Sequence, residues 1–86
     1  MTRRVEITSR AERDLRGIDR RVATRIVQAI RRFADTDHGD VTKLRATDRP
    51  EWRLRVGQYR VRFAFSSDGT AILILRVLPR GRAYRD

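Results

Sequence analysis

Trp52-Arg53-Leu54-Arg55-Val56, the turn Gly57-Gln58, and Tyr59-Arg60-Val61-Arg62-Phe63-Ala64-Phe65 decide the fold of this 86-residue chain. Successive side chains of a strand point to opposite faces. Trp52, Leu54 and Val56 therefore lie inward with Tyr59, Val61, Phe63 and Phe65, while Arg53, Arg55, Arg60 and Arg62 lie outward. Two paired strands of this pattern bury an aromatic-rich face and are expected to present all four guanidinium groups. A guanidinium fork binds phosphate through two parallel, charge-assisted hydrogen bonds. The alternative is a solvated face whose charges keep a sheet edge from pairing. Arginine alone, with no lysine or acid between Arg53 and Arg62, favours a ligand surface for a phosphate polymer.

Working outward, Arg4 to Thr8 alternates Val5 and Ile7 on one side, which predicts a short first strand. Ser9-Arg10-Ala11-Glu12 matches the capping box, with Ile7 placed for a hydrophobic staple. Ala11, Leu15 and Ile18 follow at helical spacing, and Gly17 loosens that helix near its end. Asp19 can cap a second helix whose apolar stripe is Val22, Ile26, Ala29, Ile30 and Phe33. Arg20, Arg21, Arg25, Arg31 and Arg32 fall mostly off that stripe. Asp35 to Asp40 reads as a polar break and Thr47 to Glu51 as a loop before the ribbon. Ser66-Ser67-Asp68-Gly69 reads as a hairpin turn, and Ala71 to Leu78 as a strongly apolar strand covered on at least one side. The tail from Pro79 to Asp86 is polar and basic. The expected order is β-α-α-β-β-β: an α+β domain over residues 1–86, with an N-terminal strand, a helical hairpin, then a three- to four-stranded antiparallel sheet.

The charge is +10, from 21 basic and 11 acidic residues. Every basic residue except Lys43 is arginine. The balance is 10 basic to 7 acidic from Met1 to Thr42, and 11 to 4 from Lys43 to Asp86. The excess thus sits in the half that carries the ribbon, as expected of an electrostatic footprint for a polyanion. With no cysteine, neither a disulfide nor a thiolate metal site can staple the core. That composition, the absence of a signal-peptide-like start and of any stretch long enough to span a membrane lead us to expect a cytoplasmic protein.

Most catalytic chemistries lack their residues here. Asp35-Thr36-Asp37-His38-Gly39-Asp40 fails as a calcium loop: its glycine comes one place early, and position twelve is Ala46 where a bidentate Glu is needed. His38 is the only histidine, which excludes a paired-histidine nuclease, and the acids form no cluster for two-metal cleavage. No metal and no cofactor are expected. RNA, however, carries its own nucleophile, the 2′-hydroxyl. A protein that cuts it needs only to orient the strand, stabilise developing charge and move two protons. Arginines serve the first two ends and the third badly, because a guanidinium holds its proton. The tail joins Arg80, Arg82 and Arg85 to Tyr84, and positive neighbours favour phenolate. Tyr84 is the candidate for proton transfer, as general acid to the leaving oxygen; no residue is a good general base.

Lys43-Leu44-Arg45 followed by Trp52-Arg53-Leu54-Arg55-Val56-Gly57-Gln58-Tyr59-Arg60-Val61 resembles the lysine-leucine stretch, basic strand and glycine-x-tyrosine-arginine turn of the RelE/ParE toxin superfamily, in particular its RelE branch. Ile74-Leu75-Arg76-Val77, Arg80 and Tyr84 resemble that branch's last strand and tail. The resemblance implies a RelE-like toxin of a type II toxin–antitoxin system, a ribosome-dependent mRNA interferase cutting in the A site. It implies Arg60 and Arg80 as stabilisers of phosphate charge, Tyr84 in proton transfer, and Arg55 and Arg53 at positions where relatives carry lysines. Lys43, Arg45, Arg62 and Arg82 complete the expected RNA-binding set. Partners implied are the ribosome with its mRNA and an acidic antitoxin that wraps the toxin, with DNA met only through the antitoxin. Pro79 stands where many relatives have histidine, Leu78 where they have glycine and Arg55 where they have lysine, which bears on the cleavage rate. Two alternatives are a ParE-like inhibitor of DNA gyrase and a non-catalytic basic module that binds RNA or the ribosome.

Overall fold

Each of these segments can bury its apolar residues only against another. In a computed structural model, which describes residues 2–44 and 49–81, the elements are β1 (Arg4–Ile7), α1 (Ser9–Arg16), α2 (Arg20–Thr36), β2 (Asp40–Lys43), β3 (Trp52–Val56), β4 (Tyr59–Phe65) and β5 (Ala71–Pro79). They form one five-stranded sheet in the order β1-β5-β4-β3-β2. The α+β class, the N-terminal strand, the helical hairpin and the antiparallel strands that follow it, four in number, are as expected, but β1 joins them so that the sheet is mixed. β1 pairs with β5 in parallel, whereas the other neighbours are antiparallel. β2 is an additional strand, starting at Asp40 where a break was expected and pairing with β3 from Asp40↔Arg55 to Lys43↔Trp52.

The helices cover one sheet face. Ile26, Ile30 and Phe33 of α2 meet Leu54, Val61, Phe63, Ile72, Ile74 and Val77, all buried. Phe33, Phe63, Phe65 and Trp52 form a ring cluster, with Phe33 and Phe63 centroids 5.3 Å apart and Trp52 edge-on to Phe65 at 4.8 Å. A register shift between Arg62 and Phe63 leaves Leu75 as an extra residue on β5. That bulge explains how Ile74 and Val77, three positions apart, both reach the core. Gly39 sits close to the core: a Cβ there would lie 2.8 Å from Leu54 Cδ1, so any side chain would make Leu54 shift.

Junctions use side chains the backbone leaves available. Asp19 caps α2 as expected, accepting the Arg21 amide at 2.9 Å. At α1 the cap is Thr8 rather than Ser9. Thr8 Oγ1 accepts the Ala11 amide at 3.2 Å and donates to the Ile74 carbonyl at 2.8 Å, tying the cap to β5. The capping box is thereby displaced by one residue, position N4 becomes Glu12, and Ile7 stays 39% exposed instead of stapling. Gly69 takes φ +74 in the β4–β5 turn, where the Asp68 carboxylate accepts bonds from Ser66 and Thr70. The Ser66 hydroxyl and the Thr70 donors hold the Asp68 carboxyl down at about 2. No described helix is long and apolar enough to cross a membrane.

β1 reaches along β5 only to Ile74, so beyond it the outer edge of β5 needs another partner. Asp14 of α1 supplies one. Its Oδ2 accepts the Val77 amide at 2.9 Å and the Arg76 Nε at 2.9 Å, while Oδ1 takes Arg76 Nη2 at 3.3 Å. Burial pushes this carboxyl up, but the Arg76 hydrogen bond, the Val77 amide and the nearby positive charges outweigh it and hold the group below its ordinary 3.8. Its stabilising contribution is therefore present above pH 3.8 and lost as the pH falls through the lowered value. Asp14→Asn is expected to lose about 1–3 kcal/mol at neutral pH and to flatten the acid limb of the stability curve below about pH 4. Denaturant unfolding at a series of pH values measures both effects. Phe63→Ala is expected to lose about 3–5 kcal/mol in the same assay, because the cavity opens under three aromatic neighbours.

Candidate nucleic-acid interface

On the sheet face away from the helices, register places arginines in two rows. One runs Thr42–Arg53–Arg62–Arg76 across β2 to β5, and the next runs Asp40–Arg55–Arg60–Leu78. The two-residue turn at Gly57, with φ +57, keeps the ribbon pairs in step. The four ribbon arginines do share this face, but they are not equally presented.

Arg60 is 5% exposed, the one charged residue buried among the described residues. Its Nη1 donates to the Gly57 carbonyl at 3.0 Å and to the Tyr59 carbonyl at 2.9 Å. No described carboxylate forms an ion pair with it. Its position is thus fixed by the turn that its own strand begins with, and its charge is not cancelled by a described acid. The Arg80 amide donates to the Gln58 carbonyl at 2.8 Å, continuing the β4–β5 ladder past Pro79. One turn, Gly57-Gln58, therefore anchors Arg60 through a side chain and Arg80 through its backbone.

Arg62 is committed elsewhere. Its Nε and Nη2 both reach Glu51 Oε1, at 3.2 and 2.8 Å, and the two side chains are 13% and 18% exposed. Arg62, expected in the RNA-binding set, forms a largely buried ion pair. Arg53 is half-buried, whereas Arg55 is exposed opposite Asp40 on β2. Lys43 lies at the sheet edge, its Nζ 5.7 Å from the Trp52 ring centroid. Arg80 is exposed. The structure thus brings Arg55, Arg60 and Arg80 towards one end of the ribbon, near the Gly57-Gln58 turn. Arg45, Arg82 and Tyr84 lie outside the described residues.

The sequence reading gave no role to Asp14 and Glu51, the carboxylates that neutralise Arg76 and Arg62. Glu51 was legible in principle as the residue just before the ribbon. Asp14 was not, being 62 positions from Arg76.

Against this geometry, the model for the family described as the ParE toxin of the type II toxin–antitoxin system parDE matches residues 5–84. Among solved structures, the chain is similar to the archaeal RelE–RelB complex from Pyrococcus horikoshii at 30% identity and TM-score 0.77, over 96% of this chain and 100% of that one. It is similar to the RelBE2 toxin–antitoxin complex of Mycobacterium tuberculosis at 26% identity and TM-score 0.76, over 93% and 100% of the two chains. A free-state mutant of Escherichia coli RelE shares the fold at TM-score 0.74 and 15% identity, over 98% of this chain and 90% of that chain. Among curated protein sequences no match is found. A family match over nearly the whole sequence, on the fold of these RelE toxins, leaves one assignment: the chain belongs to the RelE/ParE superfamily of type II toxin–antitoxin toxins.

Proposed function

We propose that this toxin is a ribosome-dependent, metal-independent endoribonuclease that cuts mRNA in the A site and thereby stops translation in the cytoplasm. The observation that carries the reading is Arg60: a buried guanidinium held by two backbone carbonyls, with no described carboxylate to cancel its charge. Such a cation is organised in advance for an anion and needs no rearrangement when charge develops on a phosphate. Arg80, anchored to the same turn, supplies a second positive group at that end of the sheet.

In the proposed reaction the 2′-oxygen attacks the adjacent phosphorus in line and the P–O5′ bond breaks. A 2′,3′-cyclic phosphate and a free 5′-hydroxyl result. The proton lost by the 2′-hydroxyl passes to a base not assigned among these residues, and Tyr84 gives a proton to O5′. Arg60 and Arg80 carry the charge on the non-bridging oxygens, while Arg53, Arg55, Lys43, Arg45 and Arg82 hold the strand. A cognate acidic antitoxin masks the arginine surface, as the RelB-containing complexes of the similar proteins suggest.

A second reading, inhibition of DNA gyrase, is favoured by the ParE name of the matching family. The two part company in one experiment: primer extension on a defined mRNA in translating ribosomes, with the purified toxin, Tyr84→Phe and Arg60→Gln. The expected outcome is ribosome-dependent cuts at A-site codons, reduced roughly 10²-fold or more in each variant, the range for loss of a proton donor or of one charge-stabilising donor. Circular dichroism checks that Arg60→Gln still folds. Cuts undiminished in Tyr84→Phe overturn the catalytic assignment, and a block of translation without cuts assigns a binder. No cuts and no block, with loss of gyrase supercoiling activity, would establish the ParE reading.

A further inference from the structure

Asp40 is an acid on a face of arginines. It begins the row Asp40–Arg55–Arg60–Leu78, directly opposite Arg55 and two strands from Arg60. Glu51 and Asp14, the acids that meet Arg62 and Arg76, are each held in an ion pair. Asp40 is exposed and forms no ion pair with a described residue. A carboxylate repels a phosphate backbone as surely as a guanidinium attracts it. On a surface that only gripped phosphate, Asp40 would weaken the grip. A base edge that offers N–H donors, by contrast, has a use for it.

The surroundings of Asp40 have the shape and chemistry for a base. It lines a hollow of about 260 Å³ with Ala29 and Leu54 at the floor, Arg32 and His38 on the side of α2, and Arg55 on the side of β3. Gly39 also borders the hollow, and its lack of a side chain leaves Leu54 uncovered there. The volume falls below the roughly 300–1,000 Å³ of pockets for drug-sized ligands, which suits one planar base with polar groups around its edge. Along the row, Asp40 lies two strand spacings from Arg60, about 10 Å. That is the separation between a phosphate and the far edge of a base on the same or the neighbouring nucleotide.

Donors and acceptors then choose among the bases. Guanine offers N1–H and N2–H side by side, a pair that the two oxygens of one carboxylate accept together. Its other edge offers the O6 and N7 acceptors, which a guanidinium takes as a fork. Adenine would set its N1 acceptor against the carboxylate. Cytosine offers one donor beside an acceptor, and uracil one donor between two carbonyls. We infer that Asp40 reads guanine in this hollow, accepting N1–H and N2–H while Arg32 donates to O6 and N7. Asp40 is thus a specificity-determining residue and takes no part in the chemistry. The inference rests on the reading of the protein as one that cuts RNA, and it names the base beside the phosphate held at Arg60.

The test is equilibrium binding of the purified toxin to short single-stranded oligouridylates that carry one central guanosine, inosine or adenosine. The readout is the ratio of affinities, so a uniform gain from removing a negative charge cancels. The wild-type protein is expected to prefer guanosine to adenosine roughly 5- to 10-fold, the lower part of the range for a bidentate base contact because the hollow is open. Inosine, which lacks the N2 amino group, is expected to fall between them. Asp40→Asn is expected to bring the ratio close to one. Asp35→Asn, which removes another exposed acid, is expected to leave it unchanged. Circular dichroism checks that both variants fold. No guanosine preference in the wild type, inosine bound as well as guanosine, a preference that survives Asp40→Asn, or an equal loss in Asp35→Asn each overturns the inference. Binding is read without ribosomes, so the two readings fail separately. A preference abolished by Asp40→Asn in a protein that cuts no mRNA sustains the base contact and sinks the nuclease reading, and A-site cuts without a guanosine preference do the reverse.

Discussion

Arg62 stands directly opposite Arg53 on one side and Arg76 on the other, and Arg55 stands opposite Arg60. Like charges facing each other across a strand pair are destabilising, so this sheet face forms only where something offsets the repulsion. The offsets come from outside the rows. Glu51, on the approach to β3, takes Arg62; Asp14, from α1, takes Arg76; the turn carbonyls take Arg60. Asp14 has a second task, because it also accepts the Val77 amide along the part of β5 that β1 does not reach. One carboxylate thus closes a sheet edge, docks α1 and separates two arginines.

That division sorts the arginines by what they can do. Arg62 and Arg76 are charge-matched by neighbours, and moving either towards a phosphate would strand a largely buried acid. A partly buried ion pair of this kind resists being broken from one side only. Arg60 is different: it is as immobile as they are, but its partners are carbonyls and it keeps its net charge. Burial that is usually a reason to call an arginine structural is here the reason to put it at the centre of a phosphate site.

Much of this was legible in the residues. The two-residue period of the ribbon, the apolar stripe of α2 and Asp19 as its cap each follow from local chemistry, and each is in place. β2 was hidden because Asp40 to Lys43 holds one apolar residue, Val41, and becomes a strand only by pairing with β3. The parallel pairing of β1 was hidden because alternation carries no direction. Thr8 replaced Ser9 as a cap because its hydroxyl also reaches the Ile74 carbonyl, a partner 66 residues away. For the site, the period told which face Arg60 and Arg62 share. It was silent on their burial, which depends on where the turn carbonyls and Glu51 fall in three dimensions.

The two basic surfaces are therefore built on opposite principles. At the ribbon turn, the backbone fixes guanidinium position before any ligand arrives, which is what stabilising a short-lived charge demands. Along α2 the arginines project from a rigid helix but are themselves exposed and unpaired by any described acid, so an anion meets them without breaking an existing ion pair.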